Sequence, residues 1–176
     1  MQTDVEYLKN LIRNVPDFPG QGILFRDITT LLKDPVGFPR AVDAMLAALD
    51  GVEVELVAGI ESRGFILAAP LALRLGAGLV LIRKPGKLPA ATLSQEYQLE
   101  YGRDAVEVHR DAIRPGQRVL VVDDVLATGG TMAAARQLVT GLGGAIEAIC
   151  FLIELPGLKG REKLGDCRIE SVIQYA

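Results

Sequence analysis

Tryptophan is absent from this 176-residue chain, and histidine occurs once, at His109. One histidine argues against a zinc site built on imidazoles and against a histidine-centred catalytic triad. Cysteine is scarce too. Cys150 and Cys167 lack metal-ligand spacing, and the pattern suits a reducing compartment, so a cytoplasmic location is expected. Aromatic residues make up only 5 % against 49 % hydrophobic residues, which leaves Ala, Val, Leu and Ile to build the core. The net charge of −3 offers nucleic acid no broad positive face, and any basic patch must be local.

No apolar run is clean enough to cross a membrane. The stretch from Gly64 to Ile82 comes nearest, but Arg74 lies inside it and Gly76, Ala77 and Gly78 divide it. A central arginine costs ~2.5–3.5 kcal/mol on insertion scales, so the stretch reads as a buried helix near 65–75, a turn, and a strand near 78–83. The N-terminus is polar without an apolar core, so no secretory signal is expected.

What is present alternates. Thr3 and Glu6 have the spacing of a capping box that opens a helix to about residue 14. Residues 16–22 are turn-rich, and Asp34 followed by Pro35 predicts a helix towards Leu49. Strands are expected at 55–60, 118–122, 145–153 and 168–174, and helices at 65–75 and 131–141. Residues 84–102 read as a long polar connection, with 105–109 able to pair back as a hairpin strand. Strands alternating with helices predict an α/β fold: an open, mostly parallel sheet flanked by helices, in one domain.

The most informative stretch is Val119-Leu-Val-Val-Asp-Asp-Val-Leu-Ala-Thr-Gly-Gly-Thr131. A buried parallel strand would carry Asp123 and Asp124 at its carboxyl end, where open α/β sheets bind ligands. A loop of small residues then delivers Ala127, Thr128, Gly129, Gly130 and Thr131 to a helix N-terminus, whose free N–H groups favour a phosphate. No lysine follows the glycines, so the motif is not a P-loop. Carboxylates beside a phosphate nest suit a sugar phosphate. Glycines at 141, 143 and 144 follow a helix rather than a strand, and read as its cap. A second strand-to-helix turn, Gly59-Ile-Glu-Ser-Arg-Gly-Phe65, adds the Arg63 guanidinium to another anion nest.

The Asp-Asp and Thr-Gly-Gly-Thr motif resembles the signature with which type I phosphoribosyltransferases bind phosphoribosyl pyrophosphate (PRPP). The 59–65 turn resembles that family's pyrophosphate loop. Phe18–Thr29, Leu99-Glu-Tyr-Gly102, Ile153–Leu155 and Leu158–Leu164 resemble its adenine-using branch, and the likeness runs from Pro16 to Tyr175 without a departure at a mechanistic position.

This resemblance implies a Rossmann-like sheet with a mobile active-site loop and a small hood formed by about residues 1–30 and the C-terminal segment. It implies transfer of phosphoribose from PRPP to adenine, giving AMP and pyrophosphate in purine salvage, with Mg2+ carried mainly by PRPP or pyrophosphate and no protein metal ligand. It further implies a homodimer without nucleic-acid or membrane partners. Asp123, Asp124 and residues 127–131 would hold PRPP or AMP. Ser62, Arg63, Arg83, Lys87 and Tyr101 would hold pyrophosphate, with the loop cations able to act across a dimer. Leu24, Phe25, Arg26 and Leu155 would hold adenine, and Glu100 would move the proton of its imidazole ring. The family likeness also places a non-proline cis peptide within Glu61-Ser62-Arg63, foremost at Glu61–Ser62. A phosphoribosyltransferase for another base and a PRPP-sensing regulator remain as alternatives.

Overall fold

The structure is a computed structural model that describes residues 2–98 and 102–175. Helix α1 (Gln2–Leu11) leads into a hairpin of β1 (Arg13–Pro16) and β2 (Leu24–Asp27). After a single turn, α2 (Thr29–Leu32), comes α3 (Gly37–Ala48). Then follow β3 (Leu56–Ile60), α4 (Arg63–Leu75), β4 (Gly78–Ile82), the antiparallel pair β5 (Thr92–Gln98) and β6 (Arg103–His109), β7 (Arg118–Leu126), α5 (Gly130–Gly141), β8 (Ala145–Glu154) and β9 (Ile169–Gln174). The main sheet has five strands in the order β4-β3-β7-β8-β9, and every neighbouring pair is parallel.

Period-two alternation explains how one sheet builds two cores. Leu120 and Val122 face one side of β7, packed with Leu67 and Leu71 of α4 and with Met45 of α3. Val119 and Val121 face the other side, packed with Leu138 and Val139 of α5 and with Val106 and Val108 of the hairpin. Fully burying one such aliphatic side chain is worth ~1.5–3 kcal/mol, and all of those named belong to strands or helices that the sequence pattern predicts. The close approach of α4 to the sheet depends on Gly59, where a β-carbon would lie 2.7 Å from Ala68 Cβ.

The strand order creates a switch point. The connection after β3 leads through α4 to β4 on one flank, whereas the connection after β7 leads through α5 to β8 on the other. The two helices therefore diverge, and a crevice opens between the carboxyl ends of β3 and β7.

Several elements differ from the sequence expectation, beginning with the first helix, which ends at Leu11 rather than near residue 14. The motif strand does not end at Val122, because its pairing with β8 continues through Asp123↔Phe151, Val125↔Ile153 and Leu126↔Glu154. The 84–102 connection contains a full strand, β5, whose composition is polar because only Leu93 and Tyr97 turn partly inward to the second core. Helix α3 starts at Gly37 rather than at Pro35, although Asp34 does cap it: its Oδ1 accepts from the N–H groups of Val36 and Gly37 at 3.0 and 2.7 Å. The β1–β2 hairpin and the two short 3-10 turns at Pro156–Leu158 and Gly160–Lys163 had no sequence counterpart.

Candidate active site

The crevice encloses about 430 Å3 and is lined from three directions. Glu61, Ser62 and Arg63 come from the turn after β3, and Asp123, Asp124, Val125, Ala127 and Thr131 come from the end of β7 and the loop behind it. Ile23, Leu24, Phe25 and Arg26 come from the hairpin, facing Leu155 and Leu158. A smaller hollow of about 80 Å3 is lined by Asp123 and by the loop residues from Val125 to Met132.

Both helices that start at the crevice lack a side-chain cap. Helix α4 begins after Ser62 and α5 after Gly129, and neither cap residue makes a side-chain hydrogen bond to the helix. Their first-turn N–H groups and positive dipole ends therefore remain available to an anion. Gly129 adopts a left-handed conformation with φ of 77°, and a β-carbon there would lie 2.4 Å from Gly160 O. Gly160 in turn packs against the loop, where its own β-carbon would meet Ala127 O at 2.3 Å. Two glycines thus let the loop and the 156–164 segment touch backbone to backbone. The peptide bond Glu61–Ser62 is cis, as the family likeness implies.

The acidic pair is asymmetric. Arg63 donates through Nε to Asp124 Oδ2, and the Asp124 side chain is only 6 % exposed. Asp123 Oδ1 accepts the N–H of Asp124 at 2.9 Å. Burial of the Asp123 carboxyl, followed by the neighbouring Asp124 charge, pushes its pKa well above the usual carboxylate range. Gly64 makes this crowding possible, because a β-carbon there would sit 2.9 Å from Asp123 Oδ1.

The wall formed by the hairpin is apolar with a cationic edge. Phe25 meets Phe18 edge-on at 5.1 Å between centroids, and the Arg63 guanidinium lies 5.2 Å from the Phe25 ring centre. Leu155 is anchored through its N–H to Leu126 O at 2.9 Å. The Arg26 side chain is taken up elsewhere: it bonds Asn14 and lies over the Tyr175 ring at 3.9 Å.

Most of the expected site residues converge on these two hollows: Leu24, Phe25, Arg26, Ser62, Arg63, Asp123, Asp124, Leu155 and the loop from Ala127 to Thr131. Arg83 and Lys87 do not line them. Arg83 turns to Glu61, donating to Oε2 at 3.1 Å, and to the Lys87 carbonyl at 3.1 Å. Glu100 and Tyr101 lie outside the described residues.

Two charged lining residues were not among the expected site residues, Lys84 and Glu61. Strand parity carried the signal for Lys84. Val80 and Ile82 face the second core, so Lys84 continues that face beyond the strand end while Arg83 points away. Glu61 Oε2 accepts the Lys84 N–H at 2.9 Å. That backbone bond, and then the Arg83 side chain, holds its carboxyl below the usual range.

A model of the phosphoribosyl transferase domain matches residues 40–173. The chain is similar to the adenine phosphoribosyltransferase of Geobacter metallireducens, with 55 % identity over 97 % of this chain and 100 % of the relative. It is also similar to the crystal structure of adenine phosphoribosyltransferase from Thermoanaerobacter pseudethanolicus, with 53 % identity, a TM-score of 0.95 and coverage of 97 % of this chain and 99 % of the other. A third likeness is to the Saccharomyces cerevisiae adenine phosphoribosyltransferase complexed with an imino-altritol bisphosphate and adenine, at 38 % identity and a TM-score of 0.92, covering 98 % of this chain and 100 % of the other.

Proposed function

The chain belongs to the phosphoribosyl transferase family, and from that premise we propose that it transfers the 5-phosphoribosyl group of PRPP to adenine, releasing AMP and pyrophosphate in purine salvage. The observation that carries this reading is one crevice in which two uncapped helix N-termini, an acidic pair and an apolar slot meet.

The loop from Ala127 to Thr131 takes the 5-phosphate on the α5 N-terminus. Asp123 and Asp124 take the ribose hydroxyls and favour the positive charge that develops on the sugar as its bond to pyrophosphate breaks. Ser62 and Arg63 receive the pyrophosphate, joined by Lys84. Arg83, Lys87 and Tyr101 act on the same group from a loop that a second subunit can supply. No protein nucleophile is required. Adenine slides between Phe25 and Leu155 beside Leu24. Because the Arg26 side chain is engaged by Asn14 and Tyr175, Arg26 offers the base its backbone: an acceptor for the amino group and a donor for the ring nitrogen beside it. Glu100 manages the proton of the imidazole ring as N9 attacks.

Magnesium brought in with PRPP would supply charge neutralisation on the leaving group. Among the described residues no three acidic, histidine or cysteine side chains gather to hold an ion, and the Asp124 carboxylate is already committed to Arg63.

A homodimer would give cover to exposed apolar side chains, among them Leu79 and Leu81 of the edge strand β4 and Ile66 and Leu73 of α4. Residues 1–30 and the C-terminal segment act as a hood, since they supply both walls of the base slot. The free thiols of Cys150 and Cys167 accord with a cytoplasmic location. No helix among the described residues is long and apolar enough to cross a membrane.

A PRPP-dependent assay with adenine, hypoxanthine, guanine and orotate tests the assignment. A 6-oxopurine reverses the donor and acceptor that Arg26 is matched to, and such mismatches discriminate by about 10⁴–10⁵-fold. Comparable turnover of hypoxanthine and adenine would reassign the base, and PRPP binding with no turnover of any base would favour a PRPP-sensing regulator.

A further inference from the structure

Three cations that line or border the crevice are each held by an acid of this same chain. Arg63 is paired with Asp124, Arg83 with Glu61, and Lys84 with Asp104. Asp124 and Glu61 themselves line the crevice, but Asp104 does not. Asp104 sits on β6 directly opposite Tyr97 of β5. The Lys84 ammonium donates to Asp104 Oδ2 and, at 2.8 Å, to the Tyr97 hydroxyl. That hydroxyl donates to the same Asp104 oxygen at 3.0 Å, which closes a three-membered cluster. The Lys84 nitrogen also lies 5.3 Å from the Tyr97 ring centre.

The cluster is partly open to solvent, with the Lys84 side chain 36 % and the Asp104 side chain 32 % exposed. Burial works against charge on both groups. Their mutual hydrogen bonds outweigh it, so the Lys84 pKa is raised and that of Asp104 is lowered. Both stay charged at neutral pH, and an ammonium at the crevice wall meets an incoming anion already neutralised. The Tyr97 ring lies beside the phosphate nest, where a β-carbon on Gly130 would be 3.4 Å from Tyr97 Cδ2.

We propose that Asp104 is an affinity-setting residue: an internal counter-anion that competes with pyrophosphate for the Lys84 ammonium and so keeps pyrophosphate exchangeable. The inference rests on the phosphoribosyl-transfer reading above. An anion entering the crevice shares the Lys84 ammonium with a carboxylate that already neutralises it. Part of the attraction is thereby subtracted from bound pyrophosphate, and a leaving group held too tightly would slow product release.

Calorimetric titration of inorganic pyrophosphate with magnesium into the full chain tests this. Asp104→Asn and Asp104→Ser should each bind pyrophosphate about two- to five-fold more tightly than wild type, the range for a partly exposed ion pair. Pyrophosphate should inhibit the forward reaction more strongly by the same factor. In a Lys84→Met background the gain should vanish, because Asp104 acts through that ammonium. Unchanged or weaker affinity in the folded variants would overturn the proposal, and so would an equal gain that survives Lys84→Met. Loss of fold in both Asp104 variants, read by circular dichroism, would make the residue structural and also overturn it. A wild-type chain that takes up no pyrophosphate would sink the phosphoribosyl-transfer reading itself, whereas wild-type binding with unaltered variants sinks the role of Asp104 alone.

Discussion

Arg63 and Asp124 stand 61 residues apart in sequence and form an ion pair across the switch point of the sheet. The arginine opens α4 and the aspartate lies near the carboxyl end of β7, so one contact joins the turn expected to hold pyrophosphate to the pair expected to hold ribose. The guanidinium also leans on Phe25, which brings the base slot into the same arrangement.

Replacing Arg63 by Met should therefore cost stability as well as binding. The Asp124 side chain is 6 % exposed and would lose its partner, a loss worth about 1–3 kcal/mol for a buried acceptor. Urea denaturation should show a lower midpoint, and calorimetry a weaker affinity for pyrophosphate. Arg63→Lys should recover part of the stability but less of the binding, since an ammonium cannot fork onto phosphate oxygens. A Met variant matching wild type in both measurements would remove the ion pair from the account.

The two glycines of the nest should separate folding from binding. Gly129 has φ of 77° and faces Gly160 O, so Gly129→Ala should destabilise the protein by about 1–3 kcal/mol. At Gly130 a β-carbon finds its nearest neighbours at 3.4 Å, and Gly130→Val should fold. Its branched side chain crowds the close approach of a phosphate, so PRPP binding should be lost. A folded Gly130→Val protein with unchanged PRPP affinity by calorimetry would refute the phosphate nest.

Glu100→Gln separates chemistry from binding. Glutamine keeps the shape and can hydrogen-bond, but it cannot act as an acid or base at neutral pH. Turnover should fall by about 10²–10⁴, the usual range for one general acid–base group, while PRPP affinity stays near wild type. Single-turnover measurement decides it, because slow product release would hide part of the loss. A chemical step within a few-fold of wild type would leave Glu100 without a role in proton transfer.

Acid stability should depend on Asp27. Its carboxylate accepts from Arg13 and from the Thr29 N–H and hydroxyl, and these bonds, Arg13 foremost, lower its pKa from 3.8 to about 2. A carboxyl with a depressed folded pKa stabilises fully above its unfolded value and loses that contribution as pH falls through its folded value. Stability carried by Asp27 should thus be present above pH about 4 and vanish towards pH about 2. Asp27→Asn should be less stable at neutral pH and flatter across that window in denaturation curves. An equal slope in wild type and variant would assign the acid limb to other carboxyls.

Much of the site was legible because its chemistry is local. The strand, the acidic pair and the glycine loop follow one another without interruption from Val119 to Thr131, and the 59–65 turn is equally continuous. Backbone N–H groups at a helix start need no distant partner to bind an anion, so their place in sequence is already their place in the site. Hydrophobic periodicity likewise announced the parallel strands and the two helices that flank the crevice.

Charge pairing was not legible, because it joins residues by strand order rather than by spacing. In the run from Arg83 to Lys87, sequence reasoning singled out Arg83 and Lys87, whereas the extended backbone turns Lys84 to the crevice and Arg83 to Glu61. The polar strand β5 was hidden for a related reason: its pairing with β6 supplies the order that its own side chains do not announce. Local sequence determined which residues stand at the strand ends and helix starts proposed to meet phosphate, ribose and a flat base. Only the tertiary structure decided which carboxylate neutralises which cation, because that depends on adjacency in a sheet whose neighbouring strands lie far apart along the chain.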